Sequence, residues 1–355
     1  MAPAPTARKP RERIFYLDFI RALATFLIVL THFNNPYLSQ GGYLLTNEPF
    51  GIYVGNLGVS LFFVISGAAL AYTYRRPINL RRFYWKRFTG IYPMFWIAWI
   101  LGTLYFFVTR NGVPINAGPA KSVIFSLFAV DGMVANAGVH TTYLLGEWFL
   151  GFILIFYAFF PLLLWAIEKH PVITAVVVLA LYAVSLVFLP GHSLLPMGLI
   201  FTVRLPELCC GIYIMKYLPR IPVWTLIPAV VVLVVSALRP QLDENLATTC
   251  VGISTFFVLA VLSRWIDVQP VRVLVGSIAK YSYPIFLVHH VVIMDLYYRI
   301  NTGTFQTPLQ PAMMFIAVLV ITFALAVALY HLEKATLRYT RTLIPTRAKT
   351  AEAQA

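Results

Sequence analysis

Runs of about 20 mostly apolar residues recur along almost the whole chain, and each is long enough to cross the hydrocarbon layer of a bilayer as a helix. Spans are predicted near 14–33, 56–74, 88–108, 145–167, 171–189, 196–217, 222–239, 246–265, 272–296 and 312–333. The apolar segment 121–136 is too short to cross and is expected to be re-entrant or to lie at the interface. The fold class this predicts is all-α: a polytopic membrane bundle of about ten transmembrane helices. Composition agrees, since 60% of residues are hydrophobic and only 11% charged, against about 25% charge in soluble domains. With 355 residues, ten spans and their loops leave no room for a soluble domain. One transmembrane domain is expected over 14–335, between basic tails at 1–13 and 336–355. The tails are rich in Pro, Ala, Thr and charge, a composition that predicts mobility.

The net charge of +14 reads as a topology signal rather than as affinity for nucleic acid, because Lys and Arg hold loops on the cytoplasmic side. With both termini inside, 20 cations fall inside against four outside, Arg110, Lys121, Arg239 and Arg299. Arg21, Arg204 and Lys280 remain within spans. Treating 121–136 as a span would spoil this bias. The first span is expected to stay as an anchor, because no small-residue cleavage site precedes Asn34-Asn35-Pro36. Cys209, Cys210 and Cys250 are given no function. No metal site is expected: no cysteine spacing suits one, and His140, His170, His192 and His331 form no pair with zinc-ligand spacing on one face.

The first span, RIFYLDFIRALATFLIVLTHF, carries Asp18, Arg21 and His32 in otherwise apolar surroundings. Arg21 and His32 are 11 residues apart, which on a helix brings them within about 20° of one line and separates them by about 16 Å along the axis. Thr25 lies near the same line, and Asp18 is the expected partner of Arg21 at i,i+3 spacing. An arginine at mid-membrane costs about 2.5–3.5 kcal/mol on the insertion scale. An Asp18–Arg21 staple and an interfacial histidine would be the structural explanation. Alignment of all three on one stripe favours a functional one. Arg204 and Glu207 form a second intramembrane i,i+3 pair, expected to be structural. Lys280 is expected to snorkel.

Further pieces accompany that stripe: GVSLFFVISG (58–67), YWKRFTGIYPMFW (84–96), LPELCCG (205–211), YSYPIFLVHH (281–290) and LEKATLRY (332–339). Together with Arg21 and His32, their order resembles the acyltransferase 3 family across essentially the whole chain. The resemblance implies a multi-pass protein of a bacterial-type cytoplasmic (inner) membrane. It implies transfer of an acyl group, usually acetyl, from acyl-CoA to a hydroxyl of an extracytoplasmic carbohydrate or glycolipid. Acetyl-CoA would be the co-substrate, with no metal. One departure stands out: Gly90 occupies a position where the family often has a second arginine.

Hydroxyl acylation needs a base, donors for the oxyanion and cations for the CoA phosphates. His32, toward the outer end, is the expected base, because imidazole titrates near neutrality; an acyl-histidine is the covalent alternative. Arg21, deeper in, would hold the donor's pantetheine, carbonyl or a phosphate. Arg82, Lys86 and Arg87 would grip CoA, with Arg87 nearest the membrane, although topology signalling alone explains such cations. Ser66 would offer a hydroxyl in the acyl tunnel, or merely allow close packing with Gly67. Glu147 would orient the histidine or bind a sugar hydroxyl, or simply favour a helix N-terminus; Trp148 would stack on a sugar. Ser282 opens the late motif near the inner end of its span, and His289, toward the outer end, is the second catalytic candidate. Buried Arg, Glu and His also fit an alternative, a transporter or exporter of a lipid-linked glycan or small molecule. The chain lacks the repeated halves many carriers show. A purely structural membrane subunit is the third option.

Overall fold

The computed structural model describes residues 13–74, 76–110, 118–142, 144–145, 148–239, 241–300, 305, 307 and 309–343. The tails assigned to 1–13 and 336–355 fall largely outside these residues. Among the described residues every regular element is helical. The α-helices are α1 (Phe15–Leu38), α2 (Val54–Thr73), α3 (Leu80–Thr109), α4 (Val123–Leu127), α5 (Asp131–Asn136), α6 (Trp148–Lys169), α7 (Pro171–Phe188), α8 (Phe201–Tyr217), α9 (Leu226–Leu238), α10 (Glu244–Leu262), α11 (Gln269–Ile300) and α12 (Leu309–Leu343).

A helix stands at each of the ten predicted spans, and eight of the ten are long and apolar enough to cross a membrane. The other two are α8, shortened to 17 residues and carrying Arg204 and Glu207, and α9, which with its leading 3-10 turn covers Val223–Leu238. Segment 121–136 forms α4 and α5, of five and six residues. Two carbonyls at the C-terminal end of α4 take hydrogen bonds from α3: Trp96 Nε1 donates to Leu127 O and Tyr92 Oη to Phe128 O. Local chemistry sets the ends. The Asn79 side chain accepts from the Arg82 N–H and caps α3, and Asp243 caps α10 through the Asn245 and Leu246 N–H groups. Pro171 at the first turn of α7 separates it from α6.

The first helix differs from expectation at both ends. It runs past Asn34-Asn35-Pro36 to Leu38, because Asn34 is buried and its side chain bonds the backbone of Leu44 and Thr46, so the turn it was expected to end is used to tie down the following loop. At the other end Asp18 pairs with Arg13 at 2.8 Å rather than with Arg21. Arg13 also reaches the Gly276 carbonyl of α11, so the residue before the helix, not the one a turn ahead, claims the carboxylate.

α1 and α11 run parallel: Arg13 meets Gly276 near their N-termini, and Tyr297 Oη donates to Phe33 O at 2.8 Å near their C-termini. α12 returns beside α11, with the Lys280 ammonium 4.7 Å over the Tyr330 ring. The first and last described residues therefore share one end of the bundle. That end, which also carries Arg82, Lys86, Arg264, Arg272 and Lys334, is called the basic end below.

The tightest packing joins α2 to α8. An added Cβ on Gly67 would lie 2.0 Å from the Leu208 carbonyl oxygen, and one on Gly211 would lie 2.0 Å from that of Val64. Small residues let two backbones touch where lipid offers no hydrophobic drive to association. Beside this contact Arg204 Nη1 meets Glu207 Oε1 at 2.9 Å, and Ser60 Oγ donates to the same carboxylate. Arg204 Nε also donates to Gly198 O. Arg204 and Glu207 are 2% and 0% exposed, so their charges survive burial only as a pair. Gly211→Val should therefore lower stability by at least about 3 kcal/mol, the upper range for overpacking, and Arg204→Ala by about 3–5 kcal/mol, the loss expected on orphaning a buried charge. Reversible unfolding in mixed micelles measures both; a Gly211→Val midpoint equal to wild type would contradict the contact.

Candidate active site

Four of the five helices that line the central cavity contain an interior proline: Pro36 in α1, Pro93 in α3, Pro161 in α6 and Pro284 in α11. Each proline removes one i→i−4 hydrogen bond and prevents tight local packing. Pro36 in particular has no N–H to offer the His32 carbonyl. The fifth helix, α2, has two working faces. Ser60, Val64 and Gly67 share the face toward α8, while Val59, Phe62 and Ser66 lie on the opposite face and line the cavity.

The cavity has a volume of about 300 Å³. Lys86, Arg87 and Gly90 line it toward the basic end, Ser66, Tyr157 and Ser282 along its length, and His32, Trp148 and Phe286 toward the other end. Arg87 is held by aromatic faces, 5.6 Å from the Tyr74 ring centre and 5.5 Å from that of Tyr157, and donates to Tyr74 Oη at 3.2 Å. Its Nε is buried without a partner, leaving a donor for a ligand. A Cβ on Gly90 would meet nothing within 4 Å, so the cavity wall is open where the family pattern often has arginine.

A second cavity of about 540 Å³ opens at the far end, lined by Asn35, Arg110, His290, Tyr297 and Tyr298. His32 lines both cavities.

Around His32 the parallel packing of α1 and α11 gathers two more imidazoles. Ring centres lie 5.1 Å apart for His32–His289, 4.0 Å for His32–His290 and 4.6 Å for His289–His290. His289 is fully buried, and its Nδ1–H donates to Phe286 O at 2.7 Å and Ile285 O at 3.2 Å. Carbonyls only accept, so Nδ1 carries the proton and the neutral ring leaves Nε2 bare. The Nε2 atoms of both His289 and His290 are buried without partners. One nitrogen from each ring falls within a group no wider than 4.8 Å, so this is the one set among the described residues whose chemistry suits a metal ion. Spacing along a single helix did not reveal it, since the three rings come from opposite ends of the chain.

The structure thus brings together Ser66, Lys86, Arg87, His32 and Ser282 in one cavity, with His289 adjoining. Arg21 is half-buried and does not line the cavity; it sits within electrostatic reach of Tyr157, which does. Arg82 is exposed on the first turn of α3 and stays outside. Glu147 lies outside the described residues. Tyr157, Tyr283 and Phe286 line the cavity and were missed, because aromatics at helical spacing look like any apolar face.

The family model described as an acyltransferase domain (Acyl_transf_3) matches residues 14–331. No curated protein and no solved structure matches the chain. Because space is open beside Gly90, Gly90→Arg should keep its unfolding midpoint within about 2 °C of wild type, about the shift that 1 kcal/mol gives in a chain of this size. Scanning fluorimetry in detergent measures this, and a fall of several degrees would mean that the wall is closed there.

Proposed function

The chain belongs to the acyltransferase 3 family and is a membrane acyltransferase, and from that premise we propose that it moves an acyl group, acetyl by preference, from acyl-CoA at the basic end to a hydroxyl of a carbohydrate or glycolipid at the far end. The observation that carries this reading is the position of His32, the residue shared by the cavity that begins at Lys86 and Arg87 and the cavity that opens at the opposite end. The basic end is cytoplasmic on the positive-inside argument, and the membrane is the inner membrane of a bacterial-type cell.

In this scheme Lys86 and Arg87 bind the CoA phosphates; guanidinium suits a phosphate through paired, charge-assisted hydrogen bonds. The pantetheine arm runs past Tyr157, Ser66 and Ser282, and the thioester carbonyl stops beside His32. His32 takes the proton from the acceptor hydroxyl as the oxygen attacks the carbonyl carbon. The new C–O bond forms, the C–S bond breaks, and the departing thiolate receives the proton held by His32. His289 acts as a positioning residue: its tautomer is fixed by the Phe286 and Ile285 carbonyls, so its bare Nε2 can accept from the N–H on the other side of the His32 ring. Arg21 sits one level deeper and steadies the donor's polar arm through Tyr157.

His32→Ala should reduce acetyl transfer by about 10²–10⁴-fold, the range for a general base, with the unfolding midpoint unchanged. Radiolabelled acetyl-CoA in proteoliposomes measures the rate, and full activity in this variant would exclude His32 as base. Mass spectrometry of surface glycans from cells with and without the protein then identifies the acylated sugar. Loss of the glycan itself, with acylation unchanged, would favour an exporter instead. Arg87→Ala should raise the KM for acetyl-CoA about 10-fold or more, equivalent to about 1.4 kcal/mol, with kcat little changed. Arg82→Ala, outside the cavity, should raise it less than about threefold. Equal KM values for Arg87→Ala and wild type would remove Arg87 from the donor site.

A further inference from the structure

The three histidines at the neck between the cavities have an arrangement that base catalysis alone does not require. One base needs at most one orienting partner. Here His32, His289 and His290 converge from α1 and α11 with one nitrogen from each inside 4.8 Å, and two of those rings carry a buried Nε2 with nothing to bond. An unsatisfied buried polar atom costs about 1–3 kcal/mol; His289 Nε2 offers a lone pair, and His290 in the tautomer with Nδ1–H offers a second beside it, a pair that suits a metal ion.

We propose that His32, His289 and His290 form a binding site for a divalent transition-metal ion, zinc foremost, reached from the far cavity, and that its occupation switches off transfer. Zinc takes three imidazoles at about 2.0–2.1 Å with a fourth position left for water. Tetrahedral ligands at that distance stand about 3.3 Å apart, so nitrogens within 4.8 Å of one another need to approach by at most about 1.5 Å. The bond from His289 Nδ1–H to the Phe286 carbonyl, 2.7 Å long, is the outer support that metal-binding histidines usually have, fixing the ring and strengthening Nε2 as a ligand. Neutral imidazole suits zinc, copper and nickel and discriminates against magnesium and calcium, which prefer oxygen. His290 and His32 both line the far cavity, so the ion has a route and an open coordination position. Arg110 lines the same cavity, with its guanidinium over the Tyr298 ring. Its positive charge opposes binding of a cation in that cavity, which favours reversible over permanent occupancy. The inhibitory half of the proposal rests on the reading of His32 as the base: once its lone pair is bound to metal it cannot take a proton.

The test uses the full-length protein, purified with a histidine-free tag and stripped with chelator. Zinc chloride is then titrated against a chromophoric competitor, with magnesium chloride as a parallel arm. Wild type should bind about one zinc per chain and no magnesium. His290→Gln should lose at least about 10-fold in affinity, and His289→Gln/His290→Gln should lose the site. Zinc should also raise the unfolding midpoint of wild type but not of the double variant, whose zinc-free midpoint should stay near that of wild type, which separates site loss from misfolding. In proteoliposomes, zinc should lower the wild-type transfer rate at least about 10-fold. His290→Gln, scored against its own zinc-free rate, should need at least about 10-fold more zinc for the same fractional loss. Equal zinc binding by wild type and the double variant would overturn the site. Binding that leaves wild-type transfer unchanged would overturn the switch. Zinc binding lost in the double variant, with zinc-free wild type inactive toward every acetyl acceptor tried, would support the site while sinking the transfer reading.

Discussion

Two hydrogen bonds hold α1 against α11 in parallel, from Arg13 to the Gly276 carbonyl at the basic end and from Tyr297 to the Phe33 carbonyl at the other. With both ends tied, a slide of either helix by a turn, about 5.4 Å, would break both bonds, and the part-buried Tyr297–Phe33 bond has no replacement in lipid. This fixed register places His32 level with His289 and His290. Within hydrocarbon the backbone has already used its polar groups in helices, so chemistry has to come from side chains between helices and from the few carbonyls that prolines release.

α2 divides close packing from cavity lining between its two faces. One face carries Ser60, Val64 and Gly67 into the glycine contact with α8 and the Arg204–Glu207 pair; the other presents Val59, Phe62 and Ser66 to the cavity. The ion pair lies on the packing face, away from the cavity lining, with both residues buried and Glu207 Oε1 shared by Arg204 and Ser60. Buried charge in a membrane protein therefore has two meanings here. Arg204 is spent on a neighbour, whereas Arg87 keeps an unpartnered Nε beside the cavity.

Most of the helical architecture was legible in the chain because a bilayer imposes a length and a polarity on each crossing. It was least legible where tertiary contacts override that signal. α8 is short and charged because the bundle rather than lipid surrounds it, and α1 continues through Pro36 because Asn34 bonds the next loop. Asp18 turned to Arg13 because a flexible residue ahead of the helix can fold back onto it. At the site, the alignment of Arg21 and His32 followed from helical periodicity, and the family motifs pointed to Ser66, Lys86, Arg87 and His289. The convergence of His32 with His289 and His290 depends on the α1–α11 pairing, and no local pattern encodes that pairing.

The two cavities approach one another from opposite ends until a layer of imidazole rings separates them. Wherever both are hydrated, the insulating part of the protein is about one side chain thick instead of the roughly 30 Å of surrounding hydrocarbon. A membrane voltage then drops mainly across that layer, and the electric field there is several times steeper than in the adjacent lipid. A proton or cation crossing such a layer would move through most of the potential, worth about 2.3 kcal/mol per unit charge at 100 mV.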